Sequence, residues 1–194
     1  SIIDGKVSVL FSTTAAEIFS ASDTNIAADL YLYSEGHISL VSSNAEGSAG
    51  GYDAGLAAFV EDEIAFLATD LEASDTDGLL DLYLADTVSL TKRINPVVNT
   101  LTFSSDYDLW IEGNNNTDVI LGFSGVNQAN VDLSNQLLGI NTITNTNQLY
   151  TLNSSGTLAD DVSDTPAISD IGNTVAYRTS ATNLASQDSL AFVV

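Results

Sequence analysis

An all-β fold built from repeated four-stranded units is predicted by three features of the sequence. One pattern occurs twice, as Ser22-Asp23-Thr24-Asn25-Ile26-Ala27-Ala28-Asp29-Leu30-Tyr31-Leu32 and as Ser74-Asp75-Thr76-Asp77-Gly78-Leu79-Leu80-Asp81-Leu82-Tyr83-Leu84, 52 residues apart. Short β-branched and aromatic runs alternate with Gly, Asn, Asp and Ser turns every 6 to 12 residues or so, the spacing of strands rather than helices. No stretch carries the 3.6-residue apolar period of an amphipathic helix.

Taken in order, Gly5-Lys6 turns into the strand Val7 to Phe11, and a loop from Thr13 to Asp23 is expected to anchor on Ile18 and Phe19. Asp29 to Tyr33 and His37 to Ser42 pair across the hairpin turn Ser34-Glu35-Gly36. Ser43 to Gly51 reads as a connection. The order then repeats: strands Ala54 to Val60 and Glu63 to Leu67, an anchor at Ala68-Thr69-Asp70-Leu71, the acidic loop, then strands Asp81 to Ala85 and Val88 to Ile94.

Two degenerate units follow. The first offers Thr100 to Phe103, Asp108 to Ile111 and Asp118 to Phe123, with the hairpin Gly113 to Asn116 between the last two. The second offers Asn130 to Leu133, Gln136 to Ile143, Gln148 to Leu152 and Thr157 to Val162. A clear unit closes the chain, with strands Thr165 to Ser169, Thr174 to Tyr177 and Leu190 to Val194, and the anchor Ala181-Thr182-Asn183-Leu184. The expectation is a single domain, a β-propeller of about five four-stranded repeats. The units span residues 1–52, 53–95, 96–128, 129–163 and 164–194. The first and last units look short of a strand. Either Ser1 to Asp4 fills the last unit, the ring is partial, or its open edges pair between copies.

The stretch Thr165-Pro166-Ala167-Ile168-Ser169-Asp170-Ile171-Gly172-Asn173-Thr174-Val175-Ala176-Tyr177, running on to the Asn183-Leu184 anchor, resembles the repeat of bacterial TolB-like, WD40-like (PD40) propellers. Asp23 to Asp29 and Asp75 to Asp81 are similar to the acidic continuation of that repeat. The match covers about half the chain and departs almost throughout the two degenerate units. The resemblance implies an exported propeller used as a binding or assembly platform.

Charge sets the other limits. Four Lys and Arg (Lys6, Lys92, Arg93, Arg178) face 26 Asp and Glu, a formal net charge of −22. A chain with so few cations cannot neutralise phosphates, so nucleic acid is excluded as a partner. Hydrophobic residues make up 44% of the chain, enough for a core, but no apolar run reaches membrane-spanning length. There is no cysteine, and His37 is the single histidine, which removes thiolate and multi-imidazole metal sites. His37 opens a strand after a glycine turn and reads as a surface residue. The chain begins at Ser1 rather than Met, as a processed segment would. Together these suit an extracellular, cell-surface or periplasmic bacterial protein.

The acidic loops are the candidate metal sites. Asp75, Asp77 and Asp81 alternate along a tight turn with Gly78, and Asp23, Asn25 and Asp29 repeat the spacing. Alternating oxygen side chains suit calcium, which takes several oxygen ligands. The competing reading is an Asx turn in which these side chains bond their own backbone. No catalytic residue is assigned: no Gly-x-Ser-x-Gly occurs, and acidic neighbours such as Glu61, Asp62 and Glu63 read as a solvated face. Three functions remain. The first is a non-enzymatic binding or assembly module braced by calcium, its partner a protein or a carbohydrate. The second is a protomer that self-associates through edge strands into a fibre or layer. The third is a carbohydrate-active enzyme.

Overall fold

A computed structural model describes residues 2–3, 6–15, 18, 27–44, 57–68, 71–72, 81–94, 101–103, 109–114, 118–123, 126–128, 131–132, 136–170, 174–184 and 192–193. They form strands and turns, with no helix among the described residues. The chain divides into two compact units, Ser1–Asn95 and Pro96–Val194.

The first unit holds two four-stranded antiparallel meanders. One runs β1 (Ile2–Ile3), β2 (Lys6–Thr13), β3 (Asp29–Ser34), β4 (His37–Leu40) in sequence order. The other runs β5 (Ala57–Val60), β6 (Glu63–Ala68), β7 (Asp81–Asp86), β8 (Lys92–Ile94). The β3–β4 hairpin turns through Glu35 and Gly36, at φ 52° and 84°. Two successive positive φ values give the primed turn whose twist matches the flanking strands, and glycine adopts such a φ without a Cβ penalty.

The two copies of Asp-Leu-Tyr-Leu open β3 and β7 in the same register. Tyr31 faces Phe11 and Tyr83 faces Phe66. Both pairs stack, with ring centroids 5.6 and 5.8 Å apart. The core lies between the sheets: Leu30, Leu32 and Val41 of the first pack on Ile64, Phe66, Ala68, Leu71, Tyr83 and Ala85 of the second. The first sheet therefore offers an aliphatic face to the second, which meets it with an aromatic one. On the second sheet the aromatic face is sealed, with Ile64 fully buried. On the first, the matching Val9 is 46% exposed and forms a stripe with the exposed Val7, Tyr33 and Ile38.

The described strands of the second unit form three sheets. β10 (Leu109–Gly113), β11 (Asp118–Phe123), β14 (Leu137–Asn141) and β15 (Asn147–Leu149) form a four-stranded antiparallel sheet. β9 (Leu101–Phe103), β12 (Val126–Gln128) and β13 (Val131–Asp132) form a three-stranded one. β16 (Ser163–Ile168), β17 (Val175–Thr179) and β18 (Phe192–Val193) form the last. Val175 and Tyr177 pack on Leu137, with Tyr150, Ile168 and Leu184 around them. This again sets an aromatic face against the leucine of the preceding sheet.

Several expectations change. Ile2–Ile3 pairs with β2, so the first sheet completes itself and these residues do not fill the last one. The four-stranded sheet of the second unit takes strands from both sides of the 128/129 boundary, and β12 and β13 are inserted within it in sequence. Val88 to Leu90 are turn rather than strand, because Asp86 caps them. Residues 157–162 carry a single bridge, Leu152 to Leu158, since Asn153 folds the segment into a turn by accepting from the Ser155 and Thr157 N–H groups. β16 bulges between Asp164 and Ala167, where Pro166 has no N–H for the ladder. Ile18 is exposed rather than an anchor, and Phe19, Asn115 and Asn116 lie outside the described residues.

Consecutive antiparallel meanders stacked aromatic face on aliphatic face are the blades of a β-propeller fold. The Tyr83 hydroxyl accepts the Leu71 N–H at 3.0 Å in this core. Tyr83→Phe keeps the stack but leaves a buried donor, so it should cost about 1–3 kcal/mol in urea unfolding, with the slope unchanged.

Candidate functional site

The side chains at the entry of the central strands form one recurring arrangement. In the first sheet Asp29, fully buried, begins β3. The Ser42 hydroxyl donates to Asp29 Oδ1 at 2.8 Å and accepts the Leu30 N–H at 3.1 Å, while the Val41 N–H reaches the Leu30 carbonyl at 2.8 Å. Four groups that would each lose hydration on burial are thereby satisfied together. Asp81, 1% exposed, takes the same place at the start of β7.

The second unit rebuilds this latch from different residues. Thr151 donates to Gln136 Oε1 at 2.6 Å and accepts the Leu137 N–H at 3.2 Å, and the Tyr150 N–H reaches the Leu137 carbonyl at 2.9 Å. Gln136 Nε2 adds a bond to the Ala159 carbonyl at 3.1 Å. Gln136, Leu137 and Thr151 thus stand where Asp29, Leu30 and Ser42 stand, so β14 is the counterpart of β3 and β7.

The following turn repeats as well. Asp86 Oδ1 accepts from the N–H groups of Val88 (3.0 Å) and Ser89 (2.6 Å) and from the Ser89 hydroxyl (2.9 Å). Asn141 Oδ1 accepts from Ile143 (3.2 Å), Thr144 (2.9 Å) and the Thr144 hydroxyl (2.9 Å). Leu90 and Asn145 hold the same φ of 54°. The sequence signal is Asp86-Thr-Val-Ser-Leu-Thr91 against Asn141-Thr-Ile-Thr-Asn-Thr146, a repeat the degenerate units concealed.

Of the six candidate metal ligands, the structure places Asp29 and Asp81 as buried strand-entry residues. Asp23, Asn25, Asp75 and Asp77 lie outside the described residues. Among the described residues no group of three or more His, Asp or Glu is placed to hold a metal. His37 is exposed at the start of β4.

Two of the four cations serve the framework. Lys92 Nζ donates to Ser43 Oγ at 2.9 Å, tying β8 to the end of the first sheet, and burial pushes its pKa down against the attraction of Glu72. Arg178 bonds Asp164 through two nitrogens, at 2.8 and 2.5 Å. The hydrogen bonds from Arg178 hold Asp164 below its ordinary 3.8. Hydrogen bonds from the Ser89 backbone, the Ser89 hydroxyl and Val88 do the same for Asp86. The hydroxyl and N–H of Thr182 lower Asp160, which clamps the Leu184 anchor loop.

The chain is a protein of the β-propeller class. No family model matches it, and no curated protein matches it in sequence. Among solved structures it is similar to the tricorn protease at 12% identity and a TM-score of 0.44, over 90% of this chain and 15% of that one. It is also similar to TolB from Acinetobacter baumannii at 12% identity and a TM-score of 0.31, over 85% of this chain and 48% of that one. The chain thus spans less than half the length of either protein.

Thr151→Val keeps the side-chain size and removes the hydroxyl that joins Leu137 to Gln136. It should destabilise the protein by about 1–3 kcal/mol in urea unfolding. Asp164 and Asp86 titrate lower in the folded protein than in the unfolded chain, so their stabilisation is complete above the unfolded value and fades as pH falls through the folded one. Unfolding free energy should therefore drop from about pH 5 downward, and Asp164→Asn should flatten that dependence. High salt should shrink the Asp164 share, because Arg178 is 71% exposed and its field is screened.

Proposed function

We propose that this chain is a non-enzymatic binding or assembly module of an exported bacterial protein with TolB-like, PD40-type repeats. Calcium braces its two acidic loops, Asp23-Asn25-Asp29 and Asp75-Asp77-Asp81. The observation that carries the reading is the burial of Asp29 and Asp81 at the exits of those loops. A carboxylate removed from water close in sequence to further acidic residues is costly, and a divalent cation offsets both the burial and the mutual repulsion. In a chain of net charge −22 a bound cation also relieves self-repulsion. The module's surfaces and loops, held by the latches, then serve a protein or carbohydrate partner outside the cell.

A second reading, self-association into a fibre or layer, is favoured by the exposed stripe of Val7, Val9, Tyr33 and Ile38 on the first sheet. That sheet is bordered by β1 and β4, whose outer edges carry no partner strand among the described residues.

The test is thermal melting of a size-purified sample with about 5 mM calcium and then with a chelator, since an ion bound only by the folded state raises the midpoint by mass action. Calcium should raise it, magnesium should not reproduce the rise, and Asp77→Ala should abolish it. An unchanged midpoint would leave both loops as plain turns. Light scattering across a hundredfold or so range of concentration should give one discrete mass for the module, and a rising mass for the protomer.

A further inference from the structure

We propose that the face of the β14–β15 hairpin is a binding site for a neutral carbohydrate chain, an inference that rests on the binding-module reading and names its ligand class. A cavity of about 260 Å³ opens there, lined among the described residues by Gly139, Ile140, Asn141, Thr146, Asn147, Gln148 and Tyr150. Its size approaches the lower end of small-ligand pockets.

The internal repeat shows that this cavity is a departure from the blade plan. Leu30, Leu82 and Leu137 are equivalent, so Gly139 stands where β3 has Leu32 and β7 has Leu84, both buried. A Cβ built on Gly139 would lie 2.3 Å from the Tyr150 ring. Glycine is therefore what allows the ring to lie against the strand and wall the cavity. On the neighbouring strand, Asn147 and Gln148 stand where β4 has Ile38 and Ser39 and β8 has Lys92 and Arg93. Where both sheets of the first unit keep a buried leucine, this place carries a glycine, an aromatic wall and two exposed amides.

The chemistry of that lining selects the ligand. None of the described lining residues is charged, in a chain with 26 acidic residues and four basic ones. A metal ion would find no carboxylate among them, and an anion would find no cation while meeting the negative field of the whole chain. An apolar ligand would strand the amides and hydroxyls without partners. A neutral polyhydroxyl ring suits all of them. The exposed Asn147 and Gln148 amides each donate and accept, matching adjacent sugar hydroxyls, and the tyrosine ring offers an apolar wall to the sugar's C–H face. The wall is also rigid: Asn141 is fixed by its three bonds to Ile143 and Thr144, and the Thr146 and Thr144 hydroxyls lie 2.9 Å apart. A site held in place by such supporting bonds loses little entropy on binding.

The test is an amide NMR titration of the full chain with four neutral oligosaccharides: maltohexaose, cellohexaose, mannohexaose and chitotetraose as its N-acetylated form. Each is taken to about 10 mM, which covers a site with a dissociation constant near 1 mM. Trigalacturonate serves as the charged control. At least one neutral oligosaccharide should shift amides of residues 139–150 saturably, and trigalacturonate should not. Asn147→Ala and Gln148→Ala are exposed changes that leave the fold intact, and each should weaken binding about fivefold or more, the loss of a hydrogen bond. Gly139→Leu should abolish it by driving the Tyr150 ring from its place, and its melting curve separates lost binding from lost fold. No saturable shift in this segment with any of the four, or a shift that survives both alanine variants, overturns the site. Sugar binding that maps elsewhere also overturns it while keeping the module reading. A chain stabilised by calcium that binds none of the four loses this site alone.

Discussion

A strand that enters the middle of a sheet from a loop must satisfy its first N–H out of reach of water, and in this protein one buried hydroxyl does so. Ser42 and Thr151 each accept the N–H of the strand's first leucine and donate to the side chain of the residue before it. The hydroxyl comes from the far side of the following hairpin. Closing it therefore fixes that hairpin's register and seats the leucine in the core between sheets. The stacked pairs Phe11–Tyr31 and Phe66–Tyr83 lie one residue further along and depend on the same register, because a slip of one residue would turn every side chain to the opposite face.

The latch also explains why part of the fold was legible in the sequence and part was not. Asp29-Leu30-Tyr31-Leu32 and Asp81-Leu82-Tyr83-Leu84 are near-identical strings, so their strands, turns and aromatic cores could be read directly. Gln136-Leu137-Leu138-Gly139 performs the same geometric task with an amide for the carboxylate and a glycine for the second leucine. What the blade requires at its entry is a side-chain oxygen that can accept, and Asp and Gln both supply one. The pattern of residue types was lost while the pattern of bonds was kept. The turn at Asn141 was hidden for a similar reason, since Asn serves as well as Asp to cap three donors. Residues 157–162 misled in the opposite direction. Their apolar Leu158 and Val162 suggest a strand, but Asp160 bonds Thr182, and the Asn153 turn draws the backbone off the ladder.

The candidate metal loops were legible as composition and spacing only. The sequence shows where acidic side chains recur. It does not show that the last member of each set, Asp29 or Asp81, begins a buried strand, because burial follows from the sheets packed around it. The amide-lined cavity was illegible for a different reason. It comes from a subtraction, a leucine absent at Gly139, that becomes visible only once the blades are superposed by their latches.

The first sheet's stripe of Val7, Val9, Tyr33 and Ile38 meets the chain's charge in a way that shapes its behaviour in solution. At low ionic strength, 22 net negative charges keep copies apart however attractive the stripe is. Added salt shortens the reach of that repulsion, from about 10 Å at 0.1 M to about 3 Å at 1 M, and leaves the apolar contact intact. On so acidic a chain, an exposed apolar face is therefore governed by ionic strength: salt screens the charge that opposes contact and does not screen the apolar surface.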